Sequence, residues 1–515
     1  MLTAVKETAS RLLCSKEEKN MESKLIDAMR RTDNVALTAN GALSNRSTLS
    51  DVLDYFTTAA ARRGQDNVTN FAKAYAEDRI RAVQAAFYVR DARGGQGERN
   101  TFLQALTYLY TNDRKVFDVV VPLVPIYGRW KDLVTFVDSD VVVNLVKEQL
   151  RSDSTNEHPS LLGKWMPSGN TGGKGTVARA NRALAAKWAR KLGLTMRKYR
   201  MMLTSLRARS GVVEVLMSAK NFDAIDYGHV PSNAGLKYRK AFFKQDADRY
   251  KAFIDAVNAG EKTINAGVLY PYELTSKYTG YNSRSASIDQ TVEALWKNLP
   301  NYAKSKRNAL VIADVSGSMY SGFNNSKIAP IDIAISLALY IAERNEGRFK
   351  DHFITFSSNP TLQRITGRTL FDRVKQLNSA EWGGSTNLQA SLNLILNTAV
   401  KAAVPADEMP EVLIIVSDMQ FNGTVTGLSN LDEIKLRYIT AGYEVPKIVF
   451  WNVNASRGKD QPALYDEKGV LMVAGASPSI FEAVINTEAL TPMQMMIEVL
   501  DKPRYAAVAE AMSEV

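Results

Sequence analysis

The residues of this chain best suited to chemistry are Asp314, Ser316 and Ser318, which stand at alternate positions in the run ALVIADVSGSM (309–319). A loop leaving a strand can turn one carboxylate and two small hydroxyls at that spacing towards one point. Hard oxygen donors of this kind suit Mg²⁺ or Mn²⁺, which keep several waters and accept few protein carboxylates, whereas zinc takes softer groups. Two later stretches supply further oxygens. EWGGSTN (381–387) offers Thr386 on a glycine-rich loop, and EVLIIVSDMQ (411–420) is a second apolar run that ends on Asp418. The candidate metal ligands are therefore Asp314, Ser316, Ser318, Thr386 and Asp418.

An apolar run ending on an acid is the pattern of a buried parallel strand whose C-terminal end meets a site. In an open parallel sheet, ligands gather beyond the carboxyl ends of neighbouring strands, so the three stretches can converge. HFITFS (352–357), KIVFWNV (447–453) and Val470–Val473 supply three more short strands, and Ile331–Arg344 a strongly apolar helix. Strand and helix alternate, as in a doubly wound domain. Tyr340 and Trp451 lie inside apolar runs and are expected in the core. The D-x-S-x-S, the later Thr and the later Asp together resemble the metal-ion-dependent adhesion site of a von Willebrand factor A domain, over roughly Ser305 to Thr487. That resemblance implies a bound metal with one coordination position left to a carboxylate of a partner protein; a vestigial A domain would instead pack these loops without metal.

At 515 residues the chain is too long for one ordinary core, and two to four units are expected. One cysteine, Cys14, excludes a disulfide framework and a Cys-rich zinc site, which fits a reducing compartment. The three histidines, His158, His229 and His352, are scattered, so helical zinc motifs such as HExxH are absent. No apolar run is long enough to cross a membrane and the N-terminus lacks a secretory signal, so a cytoplasmic protein without membrane contact is expected.

The net charge of +11 is concentrated. Between Glu157 and Glu214 there is no acid, yet the interval holds twelve Lys and Arg residues. A basic helical surface neutralises phosphates and reads RNA by shape. The candidate RNA contacts are Lys187, Arg190, Lys191, Arg197, Lys198, Arg200, Arg207 and Arg209, with 197, 200 and 207 expected roughly on one helix face. A solvated basic face, or one that docks an acidic protein, is the plainer alternative.

In chain order, residues 1–50 read as a partly flexible leader, and 51–290 as helix after helix. The stripes run through Val52, Leu53, Tyr55, Phe56 and Ala59, then Phe71 to Tyr88, and later through 178–192, 195–208, 212–219, 236–243 and 246–259. RDARGGQGER (90–99) fails as a dinucleotide fingerprint because Asn100 stands where glycine is needed and no strand precedes it; an ordinary turn between helices is expected. Gly169–Gly175 fails as a P-loop, since Gly175 replaces the required Ser or Thr. Residues 291–306 form a linker with one helix near Val292–Trp296, and 307–515 the A-like domain with a closing helix.

RDARGGQGER, YGRWKDL, LGKWMPS, YRMMLTSLR and VVEVLMSAKNFDAIDYGHVPS, followed by the A-like domain, resemble an uncharacterised family of plant, fungal, bacterial and phage proteins similar in layout to the TROVE-domain proteins, the Ro ribonucleoproteins among them. The resemblance implies a multidomain chain: an all-α array of HEAT-like repeats followed by an α/β doubly wound, Rossmann-like domain, with RNA binding in the TROVE members. Three functions follow as expectations. The first is an RNA-binding, non-enzymatic protein with Mg²⁺ or Mn²⁺ at the A-like site. The second is a structural or assembly protein, virus-encoded ones included, that makes only protein contacts. The third is a metal-dependent phosphodiesterase using the Asp314 cluster, which no paired base and nucleophile accompany.

Overall fold

The computed structural model describes residues 24–170, 172–279, 287–304, 307–320, 329–356, 359–378, 387–455 and 460–515. Helices dominate as far as Lys297, and a six-stranded sheet flanked by helices forms the rest.

The helical array is built on local signals. Ser50 accepts a hydrogen bond from the Leu53 amide to open helix Asp51–Thr58, Asp78 does the same for Arg79–Arg90, and Thr195 for Met196–Arg209. The helix Arg79–Arg90 is buried along its whole length from Ala82 onward, with Gln84 donating to Leu500 O and Arg90 pairing with Asp132 to satisfy its two buried polar side chains. Its neighbours Val68–Glu77 and Arg99–Asn112 pack against it, and RDARGGQGER is the turn joining it to the second of them. The later helices fall at Thr176–Lys191, Met196–Arg209, Val213–Ser218, Ser232–Gln245 and Ala247–Asn258, each within a few residues of its apolar stripe.

The sheet contains β3 (Ala309–Asp314), β4 (His352–Phe356), β5 (Thr361–Arg364), β6 (Val412–Ser417), β7 (Lys447–Asn452) and β8 (Val470–Ala474), in the order β5-β4-β3-β6-β7-β8. All pairs are parallel except β4 with β5. Every residue of β3 and of β6 is buried, which explains their unbroken apolar runs. The chain leaves β3 towards β4 on one side and returns to β6 on the other, so the topological switch lies between β3 and β6. β5 is a short, mostly exposed antiparallel edge whose sequence TLQR has no apolar run to announce it.

The two halves interlock. The stretch read as a leader is described from Lys24 onward, and there it carries helix Lys24–Asp33 and a two-stranded ribbon, β1 (Val35–Leu37) with β2 (Leu43–Asn45). That ribbon lies against the sheet domain: the Thr38 hydroxyl donates to Phe421 O (2.7 Å), and Asn45 and Gln461 exchange backbone hydrogen bonds (3.0 and 2.7 Å). Polar side chains that gave no apolar period satisfy backbone groups across the chain instead. At the other end, helix Pro503–Ser513 packs on Arg79–Arg90, where buried Asp91 receives Arg504 and the Tyr505 hydroxyl (3.1 Å). The linker helix is Gln290–Lys297, buried from Thr291 to Trp296. Its Glu293 carboxylate accepts the amides of Leu370 (2.7 Å) and Phe371 (3.0 Å), which open helix Leu370–Asn378. Tyr340 and Trp451 are fully buried, the Trp451 indole donating to Gly475 O at 2.7 Å. Among the described residues no helix is long and apolar enough to cross a membrane.

Candidate metal centre and basic surface

β3 and β6 run side by side with Ala313 opposite Val416, so Asp314 and the Ser417-Asp418 pair emerge together at the switch point. Asp314 is fully buried and Asp418 is 2% exposed. The Asp314 carboxylate accepts the Ser316 amide (2.9 Å) on one oxygen and the Ser417 hydroxyl (2.5 Å) on the other. Ser316 and Ser318 bring their hydroxyl oxygens to 3.1 Å from each other. Asp418 accepts the Gln420 amide at 3.2 Å across a turn in which Met419 takes the left-handed conformation, φ +63°.

Burial, and then the negative charge of Asp418, push the Asp314 carboxyl up to about 7, against the hydrogen bonding of Ser417 and Ser316. No Lys, Arg or His forms an ion pair with Asp314 among the described residues. Two buried carboxylates beside two hydroxyls form an all-oxygen donor set that fits a hard divalent cation, whose charge would remove the repulsion. Among the described residues no three His, Cys, Asp or Glu side chains gather into a richer cluster. Thr386 lies outside the described residues. Asn387 beside it caps helix Leu388–Ala402 by accepting the Ala390 amide (3.0 Å). Ser417, absent from the candidate ligands, is the residue that holds Asp314; its signal was its place immediately before Asp418.

The eight candidates of the basic interval lie on two helices, Thr176–Lys191 and Met196–Arg209, and the structure divides them. Arg190, Arg197, Lys198 and Arg200 are exposed, and no carboxylate pairs with them among the described residues; Arg200 donates to the Asn170 side chain (3.0 Å). Lys187 pairs with Asp138 (2.6 Å) and Lys191 with Asp140 (3.5 Å), acids that lie before the interval in sequence. Arg209 donates to the carbonyls of Asn156 (2.6 Å) and Asp153 (2.9 Å) and so closes the end of helix Asp140–Thr155.

Arg207 corrects the expected face of 197, 200 and 207. It borders the buried stripe of Tyr199, Leu203 and Leu206, and its guanidinium turns inward to Gly163 O (2.9 Å), Met166 O (3.0 Å) and the Ser168 hydroxyl (2.9 Å). Hydrogen bonds made by a charged donor contribute about 1.5–3 kcal/mol each, and the contributions do not simply add. Arg207→Gln is accordingly expected to lower the urea midpoint while leaving the exposed cations in place. A midpoint equal to that of the unchanged protein would show that the inward hydrogen bonds hold nothing together.

The sequence matches two family models. Residues 145–306 match a domain of unknown function, DUF2828, and residues 308–511 another, DUF7788. An uncharacterised protein, L728, of Acanthamoeba polyphaga mimivirus is 30% identical over 516 aligned residues, spanning 91% of this chain and 87% of that protein. Among solved structures, the Ro (RSR) protein of Deinococcus radiodurans is similar over 86% of this chain and all of its own, at 14% identity and a TM-score of 0.47.

Proposed function

The chain belongs to the family of the mimivirus protein L728, which is similar to it through both the helical array and the sheet domain, and from that premise we propose that the two parts act together as an RNA-binding protein. The helical array supplies the RNA surface. The sheet domain is a Mg²⁺- or Mn²⁺-dependent docking module for a carboxylate of a partner protein. The observation that carries the RNA reading is the exposed set Arg190, Arg197, Lys198 and Arg200, which has no acid within its stretch of sequence and no carboxylate partner among the described residues. Cations left unneutralised on a helix surface suit a phosphate backbone, and Arg forks match its oxygens.

Asp314, Ser316, Ser318 and Asp418, with Thr386 as a further candidate, would hold the metal. When bound, it supplies a Lewis-acidic position for an acidic side chain of the partner. The hydroxyls serve as ligands in this reading and not as nucleophiles, so binding, not catalysis, is proposed.

Two measurements test the RNA reading. Protein purified at low salt is expected to carry nuclease-sensitive material absorbing at 260 nm that sequences as discrete RNA species. Replacing Arg197, Lys198 and Arg200 by Gln is expected to weaken RNA binding and flatten its log–log salt dependence by about 0.7 to 0.9 for each phosphate no longer engaged. Unchanged affinity and slope would remove the surface from consideration.

A second reading, an assembly protein with protein contacts only, draws on one observation. Val400, Leu436 and Ile439 are exposed apolar residues, and Val400 and Leu436 line one groove. Clean protein that self-associates at micromolar concentration, and stays clean when challenged with RNA, would favour it.

A further inference from the structure

Three segments far apart in sequence, RDARGGQGER (90–99), YGRWKDL (127–133) and the start of LGKWMPS (162–168), meet around one cavity of about 770 Å³. That volume lies in the range of small-molecule and nucleotide sites. Cations crowd one ring in it. The Arg129 guanidinium lies 5.3 Å from the Trp165 ring centroid, the Lys131 ammonium 5.7 Å and the Lys164 ammonium 5.8 Å. Lys164 has a carboxylate, Glu214, at 3.3 Å. Arg129 and Lys131 make no ion pair among the described residues; Asp132 and Glu273 act on Arg129 only from a longer range.

Behind them one buried carboxylate, Asp132, serves two guanidiniums, Arg90 (2.7 Å) and Arg99 (2.5 Å), so this layer too keeps an excess of positive charge. The backbone is shaped to allow the gathering. A Cβ on Gly128 would sit 2.5 Å from Asp132 Oδ2 and 2.9 Å from Arg90 Nε. Gly97 has φ +74°, and a Cβ there would run into the Tyr270 hydroxyl.

Like charges drawn together around an aromatic ring repel one another until an anion enters. Guanidinium forks beside ammonium groups suit a phosphate better than a single carboxylate. Aromatic walls add the second half of the chemistry: Trp130, Tyr238 and Tyr270 line the same cavity, and flat faces of this kind stack an unpaired base. A pocket made only for protein carboxylates would need the cations without so much ring.

We propose that this cavity binds one unpaired nucleotide through its phosphate and base, either as a free nucleoside monophosphate or as the end of a single RNA strand. The second source rests on the RNA-binding reading; the first does not. AMP titration reads this cavity alone, whereas the salt slope governed by Arg197, Lys198 and Arg200 reads the helical surface, so the two assignments fail separately.

The test titrates the full chain with AMP, a 5′-phosphorylated oligoadenylate and an oligoglutamate peptide, following tryptophan fluorescence and calorimetry. AMP or the oligonucleotide is expected to bind and to change the fluorescence of the cavity tryptophans. Arg129→Gln, at an exposed side chain that packs on Trp165, is expected to weaken binding about tenfold with an unchanged melting temperature. Trp165→Leu is expected to weaken it comparably and to remove most of the fluorescence change. Equal affinities for AMP and oligonucleotide would identify a free nucleotide as ligand, and an oligonucleotide at least tenfold tighter would identify a strand. Failure of both to bind at millimolar concentration, wild-type affinity in Arg129→Gln, or binding of oligoglutamate alone would overturn the proposal.

Discussion

Asp132→Ala is expected to destabilise the helical array by about 3–5 kcal/mol, the cost of leaving a buried charge without its partner. Asp132 is fully buried, and the side chain of Arg90 that it holds is only 4% exposed. The same carboxylate also receives Arg99 and the Arg129 amide (3.1 Å). Removing it leaves one guanidinium buried without its counter-charge, one half-buried, and an amide unsatisfied, all in the heart of the motif-bearing loops. Asp132→Asn keeps an acceptor without the charge and is expected to fall between wild type and Ala. Urea denaturation followed by tryptophan fluorescence measures both. A loss below about 1 kcal/mol in Asp132→Ala would mean that water reaches Arg90 and that the pair is not the keystone its burial implies.

Metal and pH are expected to act on stability together through Asp314. Its carboxyl holds a proton in the folded chain up to about 7, far above the 3.8 of an ordinary aspartate, because it is buried and faces Asp418. Between those values the folded state binds more protons than the unfolded one. In metal-free protein this contribution is therefore fully present below about pH 4 and is lost as pH rises through about 7. A divalent cation between the carboxylates offsets the loss, so Mg²⁺ is expected to raise the melting temperature strongly at pH 8 and weakly at pH 5. At a hundredfold excess over its Kd the stabilisation is about 2.7 kcal/mol. Asp314→Asn is expected to melt above wild type at pH 8 without metal and to show no Mg²⁺ response. Equal Mg²⁺ shifts in the two proteins would sink the metal assignment, and a metal-free wild type whose stability is flat between pH 4 and 8 would sink the electrostatic argument.

Read alone, the sequence determined the class of both halves and where two buried strands end. Burial is written locally: β3 and β6 are buried at every residue and so appear as unbroken apolar runs, with Asp314 and Asp418 marking where each run ends. Helices such as Thr176–Lys191 and Met196–Arg209 announce themselves by their apolar period in the same way.

Only the tertiary structure decided which charged groups remain available. A count of acids along residues 157–214 cannot register Asp138 and Asp140, which approach Lys187 and Lys191 from an earlier part of the chain. Nor can a helical wheel show that Arg207 turns inward to carbonyls of the segment 163–166. The ribbon β1–β2 was equally silent, since its hydrogen-bond partners Phe421 and Gln461 lie hundreds of residues away. The cavity around Trp165 is the extreme case, three segments whose order along the chain does not record that they share a space. Apolar periodicity is set by a residue's own element and survives in the sequence; the partner of a charge is set by distance in space, which the order of residues does not record.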